Sequence, residues 1–146
     1  ASENDIKSFS MTGQRRDLNR EKFKSDNLLS VLNNPESNAN KNIKYLRNAM
    51  DVRSKLKQFH PCSQMKCLSK GRSDIVVIKR GKGPESVFAI HNMTENKINY
   101  QLNDNDLPKI IDNDFNTHDF LTSTKYNCKN ISLDPFQVIW LGSLIK

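Results

Sequence analysis

A group of charged and amide side chains near the start of the chain could bind a polar substrate. Arg15, Arg16 and Arg20 stand beside Asp17 and Asn19 in a glycine-containing stretch without hydrophobic periodicity. A guanidinium group presents its donors as a planar fork, which suits hydroxyl, carboxylate and phosphate oxygens. This stretch is the first candidate for a binding loop, because the rest of the chain offers few other groups in a chemically suggestive arrangement.

The histidines, cysteines and clustered carboxylates do not form a metal or catalytic pattern. No two of the three histidines have the spacing of metal ligands. The three cysteines lack a Cys-x-x-Cys pair, which predicts reduced thiols rather than a zinc site or a disulfide framework. The aspartates between residues 104 and 114 lack the glycine and terminal glutamate of a calcium loop. We expect no metal, no cofactor and no catalytic histidine.

The positive charge of the chain is unevenly distributed. The formal net charge is +7; residues 1–61 carry twelve Lys and Arg against seven Asp and Glu, and residues 62–146 carry eleven against nine. No stacking aromatic residues are interleaved with the basic ones, and neither zinc-finger spacing nor a recognition-helix pattern is present. We therefore expect no nucleic-acid partner.

The composition predicts a soluble protein with a thin core. Only 36% of the residues are hydrophobic, and the mean hydropathy is −0.71. No apolar run approaches the roughly 20 residues of a membrane span, and the first residues lack the order of a signal peptide. We expect a cytoplasmic protein without a membrane partner, whose core comes mainly from residues 75–78, 87–90 and 136–141.

Two helices are predicted after an opening loop at residues 1–20. Ser25 and Asp26 offer N-cap oxygens to a short helix, which Asn33-Asn34-Pro35 should end. From residue 40 to 59, apolar side chains recur every three or four residues, which predicts an amphipathic helix with one buried face. Since this is the only long helix, we expect that face to pack on a protein segment outside this chain.

After His60-Pro61 the pattern becomes that of short antiparallel strands separated by turns. Seven or eight such strands could close a small sandwich. The last run is almost entirely apolar, which predicts a central strand with Trp140 in the core rather than a sugar-stacking platform. The predicted strands cover residues 65–68, 75–79, 86–91, 97–102, 109–111, 119–122 and 136–141.

Several short motifs, in order along nearly the whole chain, resemble the carboxy-terminal third of sucrose phosphorylases and their relatives in the α-amylase clan, glycoside hydrolase family 13. The opening motif and the ending around Pro-Phe-Gln-Val-x-Trp-Leu carry most of the resemblance. The segments are Ala1-Ser2-Glu3-Asn4-Asp5, Thr12-Gly13-x-x-Arg16-Asp17-Leu18-Asn19-Arg20, Val87-Phe88-Ala89-Ile90-His91-Asn92, Asp119-Phe120-Leu121-Thr122-Ser123 and Leu133-Asp134-Pro135-Phe136-Gln137-Val138-Ile139-Trp140-Leu141.

The resemblance implies an α+β fragment of a larger enzyme. Residues 1–61 would be the C-terminal end of a (β/α)8 catalytic barrel, with its last βα loop and helix, and residues 62–146 an antiparallel, sandwich-like C-terminal domain. Loops that follow the strands of such a barrel build the active site. The opening stretch would then face the substrate, and the missing N-terminal barrel portion would be a partner.

The resemblance also implies an activity and site residues. Family members transfer a glucosyl group from sucrose or a related glucoside to phosphate with retention, which requires paired carboxylates. Arg20 would reach the sugar, while Arg16, Asp17 and Asn19 would shape the loop. No residue of this chain matches the motifs of the catalytic carboxylates, so the chain alone should be inactive.

One departure from the family pattern concerns the loop itself. Arg15 stands where relatives have glycine, and Glu21 where they have histidine. If that glycine has a positive φ, Arg15 would be strained by about 1 kcal/mol or more.

A second interpretation remains open from the residues alone. The β unit could be a stand-alone β-sandwich module that binds carbohydrate or an anionic partner.

Overall fold

The computed structural model describes residues 3–15, 24–107 and 116–143. These residues form an α+β chain in which helices precede a set of antiparallel strands. The chain divides into two compact units, Ala1–Leu46 and Arg47–Lys146. We refer to them as the first and second units.

Three α-helices are present in the described residues: α1 at Glu3–Thr12, α2 at Ser25–Asn33 and α3 at Asn38–Lys55. A 3₁₀ turn at Lys57–Phe59 follows α3. The predictions of α2 and α3 are confirmed, with α3 beginning two residues earlier and ending four residues earlier than expected. The short helix is preceded by Lys24 as N-cap without a side-chain hydrogen bond, so the predicted capping by Ser25 or Asp26 was wrong.

The prediction of a loop over residues 1–20 was wrong for Glu3–Thr12, which are helical. Glu3 and Asp5 lie in the first turn, where carboxylates interact favourably with the positive end of the helix dipole. Gly13, with φ +67°, ends the helix, and its N–H donates to the carbonyl of Phe9 at 2.7 Å. Glycine reaches this left-handed conformation without steric cost.

The helices bury almost no hydrophobic side chains. Neither α2 nor α3 contains a buried residue, and α1 buries only Asp5. Leu46 is 60% exposed and Met50 62% exposed, so the face of α3 predicted to be buried is not covered by the described residues. Further exposed hydrophobic side chains on these helices are Ile6, Met11, Leu28, Leu29, Val31 and Tyr45.

Eight strands occupy the described part of the second unit, all paired antiparallel. Six of them form one sheet in the order β1-β2-β3-β8-β5-β6, and β4 pairs with β7 in a second sheet. The strands are β1 Met65–Cys67, β2 Ile75–Arg80, β3 Val87–Asn92, β4 Ile98–Tyr100, β5 Asn116–Asp119, β6 Lys125–Asn127, β7 Ile131–Leu133 and β8 Val138–Gly142.

Most of the strand predictions are confirmed, with three exceptions. The run at residues 119–122 was placed too late, because β5 ends at Asp119 and a turn follows. Strands β6 and β7 were missed. The strand predicted at residues 109–111 lies outside the described residues. The two missed strands have three residues each; β6 lacks apolar alternation, and the Ile-Ser-Leu alternation of β7 was overlooked.

The core of the second unit lies among side chains from both sheets. Phe88 and Ile90 of β3 share one apolar cluster with Ile139 and Leu141 of β8 and with Ile131 of β7. Ile98 and Tyr100 of β4 pack against this cluster. The remaining members are Ile75, Val77, Leu102, Cys128 and Leu133.

Candidate functional site

The predicted binding residues Arg16, Asp17, Asn19 and Arg20 lie outside the described residues. The structure describes the approach to them: α1 ends at Thr12, and Gly13 carries the left-handed conformation. Arg15 is not among the described residues with positive φ. The backbone strain expected at Arg15 therefore does not arise.

A second candidate region lies where the 3₁₀ turn Lys57–Phe59 meets the loop between β2 and β3. Arg80 donates from Nε to the carbonyl of Gln58 at 3.1 Å, and from a terminal nitrogen to the carbonyl of His60 at 2.8 Å. Lys57 and Glu85 form an ion pair at 2.6 Å. The contacts hold the end of the helical segment against the sheet, and we call this region the junction.

Gly81 makes the junction close-packed. A Cβ atom at this position would lie 2.9 Å from Cγ of Gln58, and Gly81 has φ +81°. Gln58 is buried, so its side chain occupies the space that any other residue at position 81 would need.

Two adjoining clefts open at the junction and share Lys57 and His60. The smaller has a volume of about 340 Å³ and is lined mainly by the end of α3 and the 3₁₀ turn, including Met50, Arg53 and Phe59. The larger, about 600 Å³, extends to Lys82 and Glu85. We call the pair the cationic groove, since three of its lining residues are Lys or Arg and Glu85 is the single carboxylate.

Trp140 is only half-buried and does not belong to the apolar cluster between the sheets, so its prediction as a core residue was wrong. It alternates with Ile139 and Leu141 on β8 and therefore points to the other face of the six-stranded sheet. Its ring lies 4.6 Å from that of Phe59 at an interplanar angle of 41°. The buried indole Nε1 has no hydrogen-bond partner among the described residues.

Asp119, the first residue of one of the family-like motifs, stabilises the turn after β5. The side chain of Asp119 is fully buried. Its Oδ1 accepts from the backbone N–H of Trp140 at 2.7 Å and of Leu121 at 3.2 Å, and its Oδ2 accepts from the hydroxyl of Thr122 at 2.7 Å. One carboxylate thus closes the turn after β5 and ties it to β8.

The Asp-Pro-Phe-Gln motif before β8 forms an ordered turn. Phe136 has φ +55°, a rare conformation for an aromatic residue, and its N–H donates to the carbonyl of Thr94 at 3.0 Å. Gln137 accepts from the N–H of Asp134 at 2.8 Å and donates to the hydroxyl of Tyr126 at 3.0 Å. These contacts position the turn against neighbouring loops of the second unit.

His91 lies on the same face of the sheet as Trp140, opposite Val76 on one side and Val138 on the other. Burial lowers the pKa of its imidazole below the ordinary value of 6.5, because the charged form loses hydration. The neutral form is thus favoured in the folded state.

We expect the stability of the second unit to fall on acidification because of His91. Its contribution is fully present above the unfolded-state pKa of about 6.5 and is lost as the pH falls through the lower folded-state pKa. Urea unfolding at pH 7.5 and 5.5 tests this for the native chain and for His91→Gln, which cannot titrate. The substitution should reduce the loss of stability between the two pH values; an equal loss in both proteins would contradict the assignment.

The described residues contain no group of three His, Cys, Asp or Glu side chains able to hold a metal ion. Cys62 and Cys67 are exposed free thiols, and Cys128 is a buried one. Within the described ranges, no helix has the length and apolar character required to cross a membrane.

No protein-family model matches this sequence, and no curated protein matches it either. Solved structures do match. The trehalose-6-phosphate hydrolase of Bacillus licheniformis is similar with a TM-score of 0.57 and 16% identity, over 77% of this chain and 19% of that one. An α-amylase of Anoxybacillus is similar with a TM-score of 0.55 and 16% identity, over 77% of this chain and 25% of that one.

These neighbours are α-amylase-family enzymes, and the fold of this chain is similar to part of each of them. At 16% identity the similarity is one of fold, and it does not favour sucrose phosphorylases over other members. The chain spans a fifth to a quarter of the length of the structures that it matches.

Proposed function

We propose that this chain is the C-terminal part of a retaining glucosyl-transferring enzyme of the α-amylase clan, similar to sucrose phosphorylases. The observation that carries the proposal is the agreement between the ordered motifs and the fold shared with an α-amylase and a trehalose-6-phosphate hydrolase. In this proposal residues 1–61 complete a (β/α)8 barrel, and residues 62–146 form a sandwich-like domain. The parent enzyme would be cytoplasmic, with sugar and phosphate rather than nucleic acid as ligands.

The exposure of the helices supports a missing barrel portion. Leu29 is 55% exposed and Leu46 60% exposed, although an amphipathic helix normally buries its apolar stripe. Burying a leucine side chain contributes about 1.5–3 kcal/mol. A barrel portion packed on these faces would add this stabilisation at several positions. Within the described residues these side chains stay exposed and add none of it.

The role of this chain in the reaction would be binding rather than bond cleavage. Retaining transfer needs one carboxylate as nucleophile and another as acid and base, and both would come from the barrel portion. Arg20 would donate a forked pair of hydrogen bonds to sugar hydroxyls, which positions the glucosyl group for attack. Arg16, Asp17 and Asn19 would hold the loop in shape.

Expression of a longer product tests the proposal. The DNA upstream of the Ala1 codon should encode a barrel, and the product that includes it should transfer glucose from sucrose or a related glucoside. The 146-residue chain, purified alone and assayed identically, should show no transfer. A longer product that folds and transfers no glucosyl group from any glucoside would contradict the proposal.

A further inference from the structure

We propose that Arg53, in the lining of the cationic groove, binds a carboxylate of the missing barrel portion. The inference rests on the proposed function and adds the chemistry of the contact, which is an apolar surface of the barrel portion with one acidic side chain opposite Arg53. It is based on the apolar neighbours of Arg53, on the lack of a free carboxylate in the groove and on the cost of burying an unpaired guanidinium.

Arg53 stands within an exposed apolar surface. It is exposed and lies one helical turn after Met50, so both side chains point to the same side of α3. Met50 is 62% exposed, and the cleft that these two residues line also includes Leu56 and Phe59. Phe59 is half-buried, and the ring of Trp140 packs against it at 4.6 Å. A partner that covers these apolar side chains therefore also removes Arg53 from water.

The described residues offer Arg53 no carboxylate. Glu85 is the single acidic residue in the lining of the two clefts, and its carboxylate pairs with Lys57 at 2.6 Å. No described carboxylate lies within ion-pair distance of Arg53. An acidic partner for Arg53 must then come from the surface that covers it.

The chemistry of the guanidinium group decides what that surface carries. Arginine stays protonated in proteins, so Arg53 cannot lose its charge on burial. Burying an unpaired charge is strongly unfavourable, and a backbone carbonyl would accept a hydrogen bond without neutralising the charge. A carboxylate does both, because its two oxygens match the planar fork of donors. We therefore expect an Asp or Glu of the barrel portion opposite Arg53.

The barrel portion suits this surface better than a separate protein does. Met50 and Arg53 lie on α3, whose exposed apolar stripe the proposed function assigns to the barrel. The chain accounts for only a fifth to a quarter of the solved structures whose fold it shares. In the proposed enzyme the barrel portion is joined covalently to this chain, which gives it a high effective concentration at the groove. A separate protein would have to displace it.

Calorimetry of the two parts in trans tests the inference. A barrel-bearing portion that ends before Ala1 is titrated with the 146-residue chain, either native or with Arg53→Met, which removes the charge and keeps an unbranched apolar side chain. We expect Arg53→Met to bind at least ~30-fold more weakly, because a carboxylate of the barrel portion is left buried without a partner. The loss should persist at ~0.5 M salt, since a buried pair is screened much less than an exposed one.

Lys55→Met is the matched control. Lys55 lies two residues after Arg53, on the opposite side of α3, and lines neither cleft, so its variant should bind the barrel portion with native affinity. Arg53→Lys keeps the charge without the planar fork and should bind with an intermediate affinity. Circular dichroism establishes that each variant is folded before it is titrated.

The outcomes separate this inference from the proposed function. A complex that forms equally well with the native chain and with Arg53→Met would overturn the inference and leave the proposed function in place. Equal losses for Arg53→Met and Lys55→Met would also overturn it, because a general effect of positive charge would then account for binding. If the native chain forms no complex with a folded barrel portion, the proposed function fails and this inference fails with it.

Discussion

Asp119→Ala should destabilise the second unit by about 3 kcal/mol or more, because three hydrogen bonds to a buried carboxylate are lost. The substitution also leaves the N–H of Trp140 without its acceptor. A typical domain has only about 5–15 kcal/mol of stability, so the variant should be largely unfolded at moderate urea concentrations. The measurement is urea unfolding followed by fluorescence of Trp140, the single tryptophan of the chain.

Asp119→Asn provides the matched control. It keeps an oxygen that can accept from the backbone N–H of Trp140, while its amide can donate to the hydroxyl of Thr122. We expect a loss of about 1 kcal/mol, since the charge-assisted bonds become neutral ones. If Asp119→Ala and Asp119→Asn both unfold at the same urea concentration as the native chain, the Asp119 side chain does not tie the turn to β8.

Arg20→Ala should lower kcat/KM of the longer, barrel-containing enzyme by about 100-fold, the loss expected for a charge-assisted hydrogen-bonding group at the reacting sugar. The proposal assigns Arg20 to the glucosyl group itself. The effect should therefore be seen for every glucoside that the enzyme accepts, irrespective of the acceptor. Initial rates with sucrose and phosphate varied separately measure it.

Arg15→Ala is the control for the loss of one arginine from the same stretch. Arg15 stands where relatives have glycine, so its removal should change kcat/KM by less than about threefold. Equal losses for the two variants would indicate a general effect of positive charge. An Arg20→Ala enzyme with native kcat/KM would remove Arg20 from the site.

The β unit could be predicted from the sequence where an apolar or alternating run stood between clear turn signals. Strands β2, β3 and β8 have that pattern and flanking turns, and they form the centre of the larger sheet. Strand β6 reads Lys125-Tyr126-Asn127, which has no apolar alternation. Its position depends on pairing with β5, a contact that no local pattern encodes.

The end of β5 shows how a side chain can override a local pattern. Phe120 and Leu121 suggested that the strand continued, yet the carboxylate of Asp119 accepts from Leu121 and Thr122 and turns the backbone. Asp side chains commonly compete with strand hydrogen bonds in this way. The direction of that side chain could not be deduced from the sequence.

The helices show a different limit of prediction from the sequence. Helix α1 has few apolar residues and no stripe, and it is supported by its first-turn carboxylates and by Gly13 at its end. The apolar stripe of α3 was visible in the sequence, but what covers it was not. Periodicity shows that a face suits burial, and it does not identify the neighbouring surface.

The two candidate sites, the arginine stretch and the cationic groove, also differ in how far the sequence predicts them. The arginine stretch was evident from residue types, and its assignment to a sugar depends on family resemblance. The cationic groove joins Arg53 of α3 to Lys82 of the β2–β3 loop, residues far apart in the chain. The turn at Lys57–Phe59, the hydrogen bonds of Arg80 and the Lys57–Glu85 ion pair bring them to one surface.

The most direct test of the central claim is complementation in trans. A barrel-bearing portion that ends before Ala1 is mixed with the 146-residue chain, and release of glucose 1-phosphate from sucrose and phosphate is measured. We predict a stable complex that releases it, whereas each part alone does not, and an Arg20→Ala chain that assembles without restoring activity. Failure of the two folded parts to associate, or activity of the barrel portion that is independent of this chain, would contradict the account.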